Sequence, residues 1–505
     1  MMAAAETSSI AGLLLVSVLI LPVVGILAQL ALGGRFLNWI CLAVFPASFG
    51  VSAATCAVVW SHGEPLIYIV GGWQPPLGIA LRADGISAAM MLVTAIIICA
   101  VAIFARVEFT QPSGAPEARA PFVFWALILA LWSALNALFL GCDLFNLYVA
   151  LELLTFAAVP LVCLKGGEAT VKAALRYLLF ALLGSMLYLM GTALLYGAYG
   201  TLDIILLAQR VHPERVTWIA AALMTVGLLT KTALFPLHLW LPPAHAGAPA
   251  AGSAVLSALV VKGSFFLIVR LWFDAMPGLG HTAGPQLLAS LGAAAILFGS
   301  VMALRQQRLK LLVAYSTVAQ IGYLFLMFPL AMAAEQSWTS LAWTGGWLQL
   351  FSHAFAKAAM FLAAGLIADA LGHDRINDLG GAGRLRPLTF CTFGLAGLSL
   401  IGVPPSGGFV AKWLLLSASV AEGQWIWAAV IVVGGLLAGG YIFKVLGRAF
   451  TAGSDAPVIV TPVSLSREVV AFSLAVGAVL LGFFPLEPAE ILQIGRPEIL
   501  GSTVP

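Results

Sequence analysis

The chain has 505 residues, of which 62% are hydrophobic and only 9% charged, with a mean hydropathy of +1.04. A soluble domain carries about 25% charged residues, so the composition excludes a string of soluble domains and implies a protein built for lipid. The net charge of +3 is small and dispersed, which leaves no electrostatic footprint for nucleic acid.

The N-terminal stretch, MMAAAETSSIAGLLLVSVLILPVVGILAQLAL, has no basic n-region, and its apolar run is longer than a signal-peptide core. It reads as a retained first helix. A spanning helix needs about 20 mostly apolar residues. That rule predicts helices near 10–32, 36–60, 84–106, 121–140, 143–164, 171–198, 216–240, 250–273, 285–303, 309–331, 342–370, 388–420, 425–449 and 467–486. The weak segment LIYIVGGW within 61–83 reads as a loop or hairpin. The expected fold is an all-α integral membrane protein of about fourteen spans.

Basic residues set its orientation, because cytoplasmic loops are enriched in Lys and Arg. Loops after odd-numbered helices hold Arg35, then Arg106 and Arg119, Lys165 and Lys172, Arg305, Arg308 and Lys310, Arg375, Arg384 and Arg386, and Arg448 and Arg467. Loops after even-numbered helices hold little beyond Arg82, Arg210 and Arg215. The odd loops are expected to be cytoplasmic and both termini to lie on the outer side of a plasma (inner) membrane.

Two spans carry helix breakers. In LLTKTALFPLHLWLPPAHAGAP, Pro236 interrupts the run and Pro242–Pro243 end it; LSLIGVPPSGGFVAKWLLL has Pro404–Pro405 and Gly407–Gly408 at mid-span. Proline removes a backbone donor and clashes with the preceding turn. Freed backbone groups at membrane depth are tolerated only inside protein or beside water. The breaks fall in the seventh and twelfth helices, which suggests five-helix repeats, inverted because each has an odd number of spans. The corresponding organisation is 1–120 for helices 1–3, 121–273 for the first repeat, 285–450 for the second, and 467–505 for the last helix and tail.

Ionisable residues are placed deep in these spans. Glu152 lies in LFNLYVALELLTFAAVPL, Lys231 beside Thr230 ahead of Pro236, Lys262 in AVLSALVVKGSFFLIV, and Lys412 just after the second break. His353 and Lys357, four residues apart in LFSHAFAKAAMF, share a helical face. A charge at the bilayer centre costs roughly 2.5–3.5 kcal/mol. A single lysine can snorkel or sit in a fixed pair; this whole set beside two breaks points to a hydrated interior. A lysine's pKa falls in an apolar cavity and rises again beside a carboxylate, so a Glu–Lys pair that joins and separates can hold and release a proton. His353 is a relay candidate because imidazole titrates near neutral pH. His245 could link the site to cytoplasmic water or cap a loop, and His238 fills a polar spot in the interrupted segment. His62, His212, His281 and His373 fall in loops and are expected to be solvated.

The six cysteines, Cys41, Cys56, Cys99, Cys142, Cys163 and Cys391, lack CxxC spacing and read as small buried hydrophobes rather than metal, cluster or disulfide ligands. Spacings such as Gly184 to Gly191 read as packing features. No phosphate loop, dinucleotide glycine pattern, Ser/His/Asp set or HExxH is present. No cofactor or metal is expected.

Several segments resemble the antiporter-like subunits shared by Mrp-type cation/proton antiporters, respiratory complex I and membrane-bound hydrogenases. They are DLFNLYVALELL around Glu152, KTALFPLHLWLPPAHAGAPAAGSAVLSALVVKG, RLKLLVAYSTVAQIGY, SHAFAKAAMFLAAG and GVPPSGGFVAKW. The resemblance spans nearly the whole chain. It implies fourteen helices with two inverted repeats and a proton path along the central membrane plane. By position it makes Glu152 and Lys231 a coupling pair, Lys262 a bridging lysine, Lys412 a distal one, and His353 and Lys357 central-axis groups. Its implied partners are other membrane subunits of one complex, protons with Na+ as exchanging ion, and the lipid bilayer. Lys412 separates the chain from the complex I branch with glutamate there, and the short stretch after helix 14 separates it from the largest member with its lateral helix. DLFNLYV leans to the Mrp D-type component, whereas LHLWLPPAHAGAP leans to complex I and hydrogenase relatives. The expected function is a proton-translocating subunit of a cation/proton antiporter. The alternative is a proton-pumping subunit of an NADH-quinone oxidoreductase or hydrogenase, with no redox or hydrolytic site of its own.

Overall fold

The computed structural model describes residues 9–109, 119–280, 283–332, 337–451, 458–483 and 487–496. The first helices are α1 (Ser9–Leu32) and α2 (Leu37–His62), then strands β1 (Leu66–Ile69) and β2 (Ala80–Ala83). There follow α3 (Gly85–Ala105), α4 (Arg119–Leu140), α5 (Leu144–Val162), α6 (Glu168–Tyr199), α7 (Ile204–Arg210), α8 (Arg215–Thr232), α9 (Leu241–Gly247), α10 (Ala250–Val255) and α11 (Val261–Val269). The second half comprises α12 (Ala283–Arg305), α13 (Leu309–Phe325), α14 (Met327–Ala331), α15 (Ser337–Leu371), α16 (Ala382–Leu385), α17 (Pro387–Ile401), α18 (Gly407–Ala421), α19 (Trp425–Phe450) and α20 (Leu465–Leu480). Among the described residues, 11 helices are long and apolar enough to cross a membrane.

The apolar sequence is used in two ways. The segment Ala250–Ala275 is entirely buried inside the protein, and α15 nearly so. By contrast α6 leaves Leu175, Leu179, Leu183, Met186 and Met190 exposed, as suits a face against hydrocarbon. The cysteines divide the same way. Cys56 and Cys142 are buried, but Cys41, Cys99 and Cys163 are only half-buried and Cys391 is exposed. A thiol is apolar enough to face lipid, so burial is not imposed on it.

Small residues let helices approach. A Cβ on Gly184 of α6 would lie 2.6 Å from the Gly227 carbonyl oxygen of α8, and one on Gly292 of α12 would lie 2.6 Å from that of Gly322 in α13. Close backbone approach of this kind substitutes for a hydrophobic drive that lipid cannot supply.

The 61–83 segment forms a hairpin, with Leu66 opposite Ala83 and Ile69 opposite Ala80. An isolated two-stranded ribbon is marginal, and this one is tied down by charge. Arg82 donates to the Gly495 carbonyl at 2.8 Å and lies 3.5 Å from Asp84. Asp84 caps α3 by accepting from the Ser87 amide at 3.0 Å and pairs with Arg270 at 2.6 Å. Arg270 also reaches Asp274 at 2.5 Å and the Ser87 hydroxyl at 2.8 Å. Burial works to raise the Asp84 carboxyl, but Arg270 and Arg82 outweigh it and hold it below the usual carboxylate range.

The spans with breakers depart from simple helices. The span expected at 216–240 is helical only to Thr232, because Ala233 takes a left-handed conformation (φ 58°) and ends it. The span expected near 388–420 is two helices, α17 and α18, separated at 402–406. The span expected as continuous over 250–273 contains π-helical turns at Leu256–Val260 and Arg270–Ala275. Such wider turns occur chiefly where a helix is under functional or packing constraint.

His62 and His212 are exposed or nearly so, whereas His373 is half-buried, its Nδ1 accepting the Arg375 amide at 3.3 Å. His281, residues 484–486 of the last expected helix and residues 497–505 lie outside the described residues.

Candidate functional site: a buried row of ionisable side chains

The sites begin where helices end. A helix leaves its last carbonyls without partners, and at membrane depth those groups must be met by protein. At the end of α8, the Trp240 indole donates to the Thr230 carbonyl at 2.9 Å. Trp240 stacks on Tyr177 of α6 with centroids 4.1 Å apart, which fixes the chain returning from the break. Lys231, in the last turn of α8, is thereby aimed at α5. Its Nζ donates to the Thr155 hydroxyl at 2.8 Å and lies 3.4 Å from both Glu152 Oε1 and the Leu151 carbonyl. Glu152 and Lys231 form an ion pair with side chains 14% and 7% exposed.

At the second break the same requirement has a different answer. Lys412 of α18 reaches back to α17 and donates to the carbonyls of Leu400 at 2.5 Å and Ile401 at 3.2 Å. Its ammonium also sits 4.2 Å from the centre of the Tyr323 ring. Ser406 caps α18 by accepting from the Phe409 amide at 3.2 Å.

Between these ends lie Lys262 and Lys357, both fully buried. Lys262 Nζ donates to the Ser257 carbonyl in the first π turn. The Ser257 hydroxyl bonds Thr317 at 2.9 Å, and Thr317 donates to the Val313 carbonyl at 3.0 Å. Lys357 donates to that same carbonyl at 3.1 Å and to the Ser316 hydroxyl. On the far side, the Gln320 amide donates to the Leu400 carbonyl at 3.0 Å and to the Tyr441 hydroxyl at 3.4 Å.

The expected site residues are therefore all buried or nearly so, but only Glu152 and Lys231 touch each other directly. His353 is buried, and neither ring nitrogen has a protein hydrogen-bond partner. His245 is wholly enclosed, stacks on Phe361 with centroids 4.4 Å apart, and likewise leaves both nitrogens unpartnered. His238 lies among the rings of Phe235, Phe298 and Tyr315. Among the described residues no cluster of His, Cys, Asp and Glu could hold a metal ion.

Sequence reasoning passed over Thr155, Ser257, Ser316, Thr317, Gln320 and Tyr441. One signal was available: Ser316 and Gln320 are four residues apart in an apolar span and so share a face. It also passed over Arg270, Asp274 and Asp84, whose charges look peripheral in sequence and are buried in the fold.

Comparison with known proteins bears on this row. The family model described as NADH:quinone oxidoreductase/Mrp antiporter, TM matches residues 141–438, which hold every one of the expected site residues. NADH-quinone oxidoreductase subunit N of Desulforudis audaxviator is 35% identical over 420 residues, covering 82% of this chain and 81% of that protein. The D-type component of a Na(+)/H(+) antiporter of Alkalihalophilus pseudofirmus is 30% identical over 406 residues, covering 79% of each. A chain of the Mrp complex from Dietzia sp. superposes with a TM-score of 0.85 at 25% identity, covering 96% of both. The chain therefore belongs to the NADH:quinone oxidoreductase/Mrp antiporter transmembrane family, as a multi-pass, antiporter-like membrane subunit of the Mrp or complex I type.

Proposed function

We propose that this chain translocates protons within a multisubunit membrane complex of the cation/proton antiporter kind, along the row Glu152, Lys231, Lys262, Lys357 and Lys412, with His245 and His353 as relay groups. The observation that carries this reading is the Glu152–Lys231 contact at 3.4 Å, the one acid–base pair in a row of otherwise unpaired lysines. While the pair is closed, the carboxylate holds the lysine's proton; opening it removes that stabilisation and lets the proton move inward. The unpartnered nitrogens of His245 and His353 suit groups that exchange protons with mobile water.

In this reading α8, the α17–α18 pair and α20 join the 11 apolar spans as membrane crossings, giving fourteen. The two broken spans belong to inverted repeats over 121–273 and 285–450, after helices over 1–120 and before a terminal segment over 467–505. Cytoplasmic odd loops in the plasma membrane follow from the distribution of Lys and Arg. The partners are other membrane subunits, with Na+ as the ion exchanged.

A second reading, a proton-pumping subunit of a complex I-like oxidoreductase, is favoured by the 35% identity to a complex I-type relative. Purifying the chain with its native partners tests both. Small antiporter subunits and Na+-dependent proton flux support the first; quinone-reductase or hydrogenase subunits and redox-driven flux support the second.

A further inference from the structure

We propose that Tyr441 is a proton-carrying hydroxyl between Lys357 and Lys412, and that Gln320 holds it in place. This rests on the proton-translocation reading above. The two lysines are on different helices and make no hydrogen bond to each other, so the row needs a connection across this gap. Tyr441 of α19 is fully buried, its hydroxyl accepts from the Gln320 amide at 3.4 Å, and Ser316 lies beside it. Ser316 in turn accepts from the Lys357 ammonium. On the other side, Gln320 and Lys412 donate to one and the same acceptor, the Leu400 carbonyl, at 3.0 and 2.5 Å. Tyr441 therefore sits between the Lys357–Ser316 hydrogen bond and the Gln320 amide that shares the Leu400 carbonyl with Lys412.

The division of labour follows from chemistry. An amide side chain donates but does not pass protons on at neutral pH, whereas a hydroxyl both accepts and donates. Gln320 is anchored by Gln349, which donates to its Oε1 at 3.0 Å. Its amide then occupies one lone pair of the tyrosine oxygen, leaving the phenolic hydrogen free to point onward. The Ser316 hydroxyl donates to the Val313 carbonyl at 2.8 Å. Rotating that hydrogen onto Tyr441 opens the relay. Lys357 then gives one proton to Ser316 Oγ, Ser316 gives its own to Tyr441 Oη, and Tyr441 gives its own, through one water, to the neutral amine of Lys412. Each oxygen gains and loses one proton, and the net change is one proton moved from Lys357 to Lys412.

The test uses the native complex in proteoliposomes, with proton flux read by a pH-sensitive dye and assembly read by thermal melting. Tyr441→Phe keeps the ring and removes only the relay atom; Ser316→Ala does the same one step earlier. Each should lower flux per assembled complex at least about ten-fold, short of the 10²–10⁴ of a positioned acid–base group because water substitutes in part. Melting should stay within about 2 °C of the parent. A purely structural hydroxyl predicts the reverse: lower melting with flux per complex retained. Should Tyr441→Phe fail to assemble, unchanged flux in Ser316→Ala overturns the proposal. Near-parental flux in Tyr441→Phe while Glu152→Ala is inactive also overturns it and leaves the functional reading intact. Near-parental flux in Glu152→Ala would instead remove the reading on which the proposal stands.

Discussion

Lys412 Nζ lies 2.5 Å from the main-chain carbonyl oxygen of Leu400, so a lysine of α18 closes the open end of α17. The contact has two consequences. A cation at a helix C-terminus is favoured by the aligned peptide dipoles, and the amine is held where α17 stops with no carboxylate among the described residues to lock it.

Substitutions at Lys412 should therefore separate folding from transport. Arginine can donate to the same carbonyls but does not release a proton, so Lys412→Arg is expected to insert and melt like the parent with flux lost. An ionised glutamate would face the Leu400 and Ile401 carbonyls, so Lys412→Glu is expected to melt earlier while keeping more flux per folded molecule than arginine. Flux and melting measured on both variants check this; near-parental flux with arginine would exclude a cycling role for Lys412.

The second break should tolerate no side chain at Gly408. A Cβ there would lie 1.9 Å from the Ser399 carbonyl oxygen, so backbone must move. Gly408→Ala is expected to cost about 1–3 kcal/mol or more, visible as reduced melting temperature and membrane abundance. Parental stability would mean that α17 and α18 pack less closely than described.

The Arg270 cluster should be structural. Removing one partner of a buried ion pair leaves the other uncompensated and costs roughly 3–5 kcal/mol, so Arg270→Met is expected to destabilise strongly. Asp84, whose folded carboxyl is held low, contributes stability that is present above the usual carboxylate pKa of about 4. That contribution disappears as pH falls through its lowered folded value. The melting gap between parent and Asp84→Asn should accordingly be constant near neutrality and close in acid. A gap that widens in acid would contradict the assignment.

Hydrophobic runs, breakers and buried charges made the spans, the interruptions and most of the row legible in sequence. Each is a violation of what lipid permits unless protein compensates, and a violation stands out against an apolar background. What was illegible was local compensation. Nothing in GVPPSGGFVAKW says that its lysine turns back to cap α17 rather than pair with an acid. The π turn before Lys262 has no marker either, because a wider turn is chosen by tertiary packing. Arg270 and Asp274 looked like a span edge because their partner, Asp84, is distant in the chain. Ser316, Gln320 and Tyr441 are ordinary residue types whose role arises only from convergence in space.

The central claim is that the Glu152–Lys231 pair, 3.4 Å apart, gates proton movement rather than merely holding α5 against α8. Proton flux through the native complex carrying Glu152→Gln is its most direct measure. Glutamine nearly keeps the shape and can still accept from Lys231, but it cannot supply the charge that holds the lysine's proton. The account predicts a folded complex of parental abundance whose flux falls at least about ten-fold. Flux at the parental level in that complex would contradict it.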